Sequence, residues 1–175
     1  MVGNFFADQA RGKQWELLPE GIGRGVLLHR QMDSWTDQHP EILAAKRLLP
    51  NEAGLFRGVF IDVFVDHFVA RRFEEWHGEP LAAYVKRIQP ILLAGAKSHF
   101  PKAVPMIKAL KRYDWLNQYA HDHGISTTLK QMGRRFPKAN PLHQGGQWLT
   151  EYREDLAPHL EQFYLESIAH FGQEM

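Results

Sequence analysis

The chain has 175 residues, of which 44% are hydrophobic and 23% charged, with a formal net charge of +1 and no cysteine. That length supports one domain able to remove about 70% of its unfolded surface from water, and the composition excludes disordered and fibrous classes. Lack of cysteine excludes disulfides, thiolate zinc sites, iron–sulfur clusters and cysteine nucleophiles and suits a reducing cytoplasm; no leader pattern and no run of about eighteen apolar residues predicts secretion or a membrane span.

At the N-terminus, Gly3-Asn4-Phe5-Phe6-Ala7-Asp8-Gln9-Ala10-Arg11-Gly12 places Asp8 and Arg11 on one side of a helical turn that Gly12 can end. Ile22, Val26, Leu27 and Met32 recur with helical period after Pro19, which predicts a helix over 20–35. His39-Pro40 interrupts it, because the residue before proline avoids helical geometry, and a short helix over 41–49 ends at Pro50. Asn51 is placed to cap a very apolar helix over 52–76, a pattern expected of a helix buried on several sides. After a turn at Gly78 and Pro80, residues 81–100 read as a helix with a kink expected at Pro90. Shorter helices are expected over 104–116, 116–123 and 125–136, separated by Asp114, Gly124 and Pro137. A loop over 141–146 leads to a long helix over 148–171, whose aromatic and apolar stripe, Trp148, Tyr152, Leu156, Leu160, Phe163, Tyr164 and Ile168, reads as packing. No alternating strand pattern, repeat or linker divides the sequence, so residues 1–175 are expected to form a single compact all-α domain.

Two patches carry the chemistry. His29, Asp33 and Asp37 are spaced four apart, as are Asp62 and Asp66, with His67 immediately after. Residues four apart stack on one helix face, so each patch aims a column of oxygen and nitrogen donors in one direction. Asp62 and Asp66 also lie in the apolar run 59–70, where carboxylates are costly to bury and repel one another one turn apart. A cation is the simplest partner. Pairing with Arg71 and Arg72 is the structural alternative, and His29 with Asp33 reads equally as a surface ion pair. Mixed oxygen and imidazole donors suit Mn2+ or Mg2+, although imidazole also accepts Zn2+, Fe2+ or Ni2+. Arg11 or Arg30 could hold a phosphate through two parallel hydrogen bonds. Lys108, Lys111, Arg112, Lys130, Arg134, Arg135 and Lys138 concentrate positive charge in the second half, a surface that either attracts an acidic partner or simply solvates helix faces. His121, His123, His143, His159 and His170 form no ligand grouping, and His39 is at most an outer neighbour of the first patch.

Three blocks in order, Gly3-Asn4-Phe5-Phe6-Ala7-Asp8, then Gly21-Ile22 leading to His29-Arg30-x-x-Asp33-x-x-Thr36-Asp37, then Asp62-x-x-x-Asp66-His67-Phe68, resemble the acyl carrier protein phosphodiesterases, or holo-acyl-carrier-protein hydrolases. Met132, Arg134, Arg135 and Asn140-Pro141-Leu142 extend the likeness more loosely over nearly the whole chain. The resemblance implies an all-α, HD-like helical bundle and a metal-dependent phosphodiesterase of lipid metabolism. It would convert holo-acyl carrier protein to apo-acyl carrier protein and 4′-phosphopantetheine in the cytoplasm, with Mn2+ as the expected metal. On this reading Asp8, His29, Asp33, Asp62, Asp66 and His67 surround the metal, and Asp66, His67 and Arg30 act in catalysis. Arg11, Arg134 and Arg135 meet the phosphate and the acidic carrier protein; neither nucleic acid nor membrane is an expected partner. Family members begin with a segment resembling Asn-Tyr-Leu-Ala-His-x-x-Leu before the Gly-Asn block, whereas this chain starts Met1-Val2-Gly3, so a shortened N-terminus lacking that histidine is expected. Two rivals remain: an HD-type phosphohydrolase acting on a nucleotide or other small phosphoester, and a non-catalytic helical module that binds an acidic partner.

Overall fold

The computed structural model describes residues 1–172, which form eleven α-helices and five short 3-10 segments, with no strand among the described residues. The first helix, α1 (Val2–Phe5), lies directly on α2 (Glu20–Gln38). A Cβ on Gly3 would fall 1.9 Å from the Ile22 carbonyl oxygen, so only glycine permits this approach. Helix α2 runs three residues past its expected end and stops at His39, which is extended before Pro40. Proline at the first position of α3 (Pro40–Leu48) needs no N–H partner, and His39 Nδ1 accepts the Glu41 backbone N–H at 3.3 Å.

The helix expected over 52–76 is broken twice. Gly54, at φ 50° and ψ −129°, confines Asn51–Phe56 to a 3-10 segment, and Arg72 at φ −108° and ψ 16° separates α4 (Arg57–Arg71) from α5 (Phe73–His77). Asn51 does not cap the helix. Its Oδ1 accepts from Arg57 Nη2 at 3.1 Å, and that same guanidinium also holds the carbonyls of Leu49 and Pro50. Helix α6 (Leu81–His99) continues through Pro90, whose missing N–H removes one bond without ending the element. Beyond it come α7 (Val104–Arg112), α8 (Trp115–Gln118) and α9 (Asp122–Gly133), with Asp114 in the left-handed region at φ 51° between the first two. Tyr152, at φ −101° and ψ 9°, divides the expected terminal helix into α10 (Gly145–Glu151) and α11 (Arg153–Phe171).

Apolar side chains gather in two clusters. One joins Ile42 and Ala45 of α3, Phe60, Ile61 and Phe64 of α4, Leu129 of α9, Leu149 of α10 and Leu156 and Leu160 of α11. The other joins Phe6, Val26 of α2, Ile88, Leu92 and Ala96 of α6, and Ile107 of α7. Helix α2 serves both, since Val26 lies in the second cluster while Trp35 packs on the first. Its polar column therefore runs along the junction. Helix α3 packs on both α2 and α4, and burial of Phe60, Ile61, Val63 and Phe64 fixes the rotation of α4 by about 1.5–3 kcal/mol per side chain.

Candidate functional site

The first column forms as its spacing predicts. His29 Nε2 lies 3.3 Å from Asp33 Oδ2, with the imidazole half-buried and the carboxylate exposed. One turn further, Asp37 Oδ1 receives Lys46 Nζ of α3 at 3.6 Å. Across α3, Asp62 of α4 comes within the charge field of Lys46, Asp37 and Asp33. Burial raises its proton affinity, Lys46 opposes that rise, and Asp37 and Asp33 add to it. Asp66, one turn along α4, is pushed up to about 7 by enclosure within the protein and then by the charge of Asp62. Both side chains are nonetheless exposed to solvent. The two columns thus face one another.

The arginines expected to neutralise them are engaged elsewhere. Arg72 holds Glu75 and Glu161, each at 2.6 Å, and Arg71 lies 3.9 Å from Asp122. Lys46 stands beside Asp37 and Asp62, with Asp33 and Asp66 adding negative charge around Asp62. Such excess negative charge, with the His29 imidazole adjoining it, has the donor chemistry of a site for a hard divalent cation. Among the described residues, however, no three His, Asp or Glu side chains stand together in a grouping able to hold a metal ion.

Several expected site residues lie elsewhere. His67 is 0% exposed and turned into the core, where Nδ1 donates to the Tyr119 carbonyl at 2.7 Å and Nε2 faces Arg153 Nη1 at 3.3 Å. Burial lowers its proton affinity; the Tyr119 bond and Asp122 pull the other way, while Arg153 and Arg71 reinforce the fall. A buried imidazole whose nitrogens face Tyr119 and Arg153 acts here as a structural tie. Arg30 is likewise committed, its Nη2 donating to the Ala10 carbonyl at 2.6 Å and fastening α2 to the N-terminal segment instead of awaiting a phosphate. Asp8 sits exposed in the Ala7–Gln9 3-10 turn and joins no ion pair or metal-suited grouping among the described residues. Arg11 is exposed beyond it, and Arg134 and Arg135 are exposed at the C-terminal end of α9. An open groove of about 580 Å³ adjoins the first column on another face of α2, lined by Met1, Asn4, Phe5, Arg24, Leu28 and Met32 among others, and none of the four carboxylates lines it.

Lys46 belongs to the site, paired with Asp37, although nothing in its own stretch of sequence marks it. It arrives on α3, so no spacing rule relates it to the aspartates of α2 and α4. His39 is more than an outer neighbour: its Nε2 pairs with Glu166 of α11 at 2.9 Å, and its ring meets Trp35 and Phe163 edge-on.

The chain matches the family described as acyl carrier protein phosphodiesterase over residues 1–167. The acyl carrier protein phosphodiesterase of Enterobacter sp. (strain 638) is 28% identical over 165 residues, covering 94% of this chain and 86% of the relative. That of Escherichia coli O45:K1 (strain S88 / ExPEC) is 26% identical with the same coverage, and that of Escherichia coli (strain K12 / DH10B) is 26% identical over 170 residues, 97% of this chain and 88% of the relative. No solved structure matches. Continuous similarity of this extent shows that the chain belongs to the acyl carrier protein phosphodiesterase family.

Proposed function

We propose that this protein hydrolyses the phosphodiester joining 4′-phosphopantetheine to the serine of acyl carrier protein, releasing apo-acyl carrier protein and free 4′-phosphopantetheine, and that the reaction requires a divalent metal, Mn2+ in the first instance or Mg2+. The observation that supports the metal requirement is the placement of Asp62 within the charge field of Asp33 and Asp37, with Asp66 one turn beyond it on α4. The substrate follows from the relatives, which bear that activity in their names. When bound, the cation would neutralise phosphoryl charge and acidify water.

The chain's own groups divide the work. Asp33 and Asp62 would hold the cation, with His29 beside Asp33 as a nitrogen donor, once these side chains draw closer than they stand in the structure. Asp66 accepts a proton from the attacking water as its oxygen bonds to phosphorus and the bond from phosphorus to the serine oxygen breaks. The proton taken up by Asp66 then returns, through solvent, to that oxygen and restores the serine hydroxyl. Lys46 stays paired with Asp37 and limits repulsion across the cleft. Exposed Arg11, Arg134 and Arg135 give an acidic carrier protein its approach.

Incubating holo-acyl carrier protein with the purified chain and following its mass tests this. Loss of the prosthetic group with Mn2+ and none after chelation is expected, and Asp62→Asn or Asp66→Asn should abolish it. Metal-independent loss, or loss undiminished in both variants, would overturn the assignment. Intact holo protein alongside hydrolysis of a nucleotide would favour the smaller-phosphoester rival instead.

A further inference from the structure

Leu55 is 101% exposed and packs in neither apolar cluster, yet the loop that bears it is firmly held. Gly54 beside it sits at φ 50°, and Arg57 Nη2 donates to the Leu49 and Pro50 carbonyls at 3.3 and 3.2 Å and to Asn51 Oδ1 at 3.1 Å. A large apolar side chain displayed on a loop fixed in this way offers a partner a contact at small entropic cost.

A second exposed apolar side chain adjoins it. Helix α9 runs antiparallel to α4, since Asp122 at its start stands 3.4 Å from His67 Nε2, while Phe136, just beyond its end, meets Phe56 edge-on with ring centroids 5.1 Å apart. Phe136 remains 45% exposed in that contact. The turn bearing it is pinned by Asn140, whose Nδ2 donates to the Gly133 and Lys138 carbonyls at 3.0 and 3.2 Å. Charge on this loop is wholly positive: Lys130, Arg134, Arg135 and Lys138 are exposed, none enters an ion pair among the described residues, and the sequence holds no acid between Asp122 and Glu151. Glu52 is the one acid on the Leu55 segment.

The patch lies at the start of the α4 carboxylate column. Asp62 follows Arg57 by five residues, about 7.5 Å of helix axis, and shares a helix face with Gly58 one turn before it. The geometry points to this end of α4 as the docking surface for acyl carrier protein, with Leu55 and Phe136 seated against apolar side chains of the carrier, and Arg134, Arg135 and Lys138 meeting its carboxylates. This rests on the phosphodiesterase reading above and adds the surface that selects the protein part of the substrate. An apolar centre beside unpaired cations complements an acidic protein. A second copy of this chain would set cations against cations, and a nucleic acid would leave the apolar centre unused.

The test compares the full chain with Leu55→Glu and with Leu17→Glu, which places the same charge on a leucine 86% exposed in the Gln14–Leu17 segment, using holo-acyl carrier protein and Mn2+. Leu55→Glu should raise KM by about tenfold at the parent's thermal midpoint, and Leu17→Glu should keep the parent's KM. Leu55→Ser, which adds no charge, should also raise KM, so a fold damaged by the glutamate does not shelter the claim. If the parent releases phosphopantetheine and Leu55→Glu or Leu55→Ser matches its KM, this inference falls and the phosphodiesterase reading stands. An equal rise in Leu17→Glu would show repulsion by charge anywhere on the surface and overturn the patch. A parent dimer that Leu55→Glu turns into monomers, or oligonucleotide binding that Leu55→Glu abolishes, would assign the surface to another occupant and overturn it as well. If the parent releases nothing with Mn2+ present, both readings fall.

Discussion

Asp66 and His67 are consecutive, yet about 100° of helical rotation separates them, and that rotation decides their roles. Asp66 stays at the surface one turn from Asp62 while His67 enters the core, where its two nitrogens join Tyr119 and Arg153. His67→Ala should therefore cost about 2–4 kcal/mol, from the cavity and from the polar groups left unpaired, read by chemical denaturation. The Mn2+-induced thermal shift should survive; its disappearance in a variant as stable as the parent would return His67 to the ligand set. Arg30→Ala should cost about 1–2 kcal/mol by releasing the Ala10 carbonyl, with kcat unaltered. Asp122 supplies a pH signature. Desolvation raises its proton affinity, but the Arg153 hydrogen bond and charge, with His67 and Arg71, outweigh this and hold the carboxyl below its usual range. A depressed folded pKa stabilises the protein above the unfolded value near 4, and the benefit is lost as pH falls through the folded value. Asp122→Asn should accordingly be less stable than the parent at pH 7, by about 1 kcal/mol or less for so exposed a pair, and the gap should close below about pH 4. A gap that persists at pH 3 would show that the carboxylate charge is not what holds Arg153.

Among the helices, α2, α3 and α6 were legible because period and proline agree there, and the structure departs from expectation only by a few residues at their ends. The breaks at Gly54, Arg72 and Tyr152 were not legible: apolar period continues across each, while the backbone angle that interrupts the helix depends on what the chain packs against. Helix α4 shows why the second patch could be found. Its apolar majority identified it as buried, which made Asp62 and Asp66 conspicuous; the same reading could not tell which neighbour of Asp66 faced inward. Phe64, fully buried in the core, anchors that orientation, and Phe64→Ala should cost about 3–5 kcal/mol with a cooperative fall in thermal midpoint. A loss below 1 kcal/mol would mean that the core does not fix the rotation of α4.

Over the whole molecule, helix–helix packing unites residues far apart in the sequence, as where Arg153 meets His67 across 86 residues. Contacts of that range leave no local trace in the sequence. The near-neutral net charge hides exposed arginines at the end of α9, so an acidic protein substrate should associate faster at low ionic strength. Arg134→Glu should lower kcat/KM and flatten its dependence on salt while leaving kcat alone; unchanged salt dependence would remove that surface from the encounter. The account stands or falls on the facing carboxylates of α2 and α4. Mass spectrometry of holo-acyl carrier protein, incubated with the parent chain and with Asp62→Asn, each with Mn2+ and with chelator, addresses them most directly. The account predicts conversion to the apo mass for the parent chain with Mn2+ alone; conversion by folded Asp62→Asn at the parent rate, or by the parent under chelation, would contradict it.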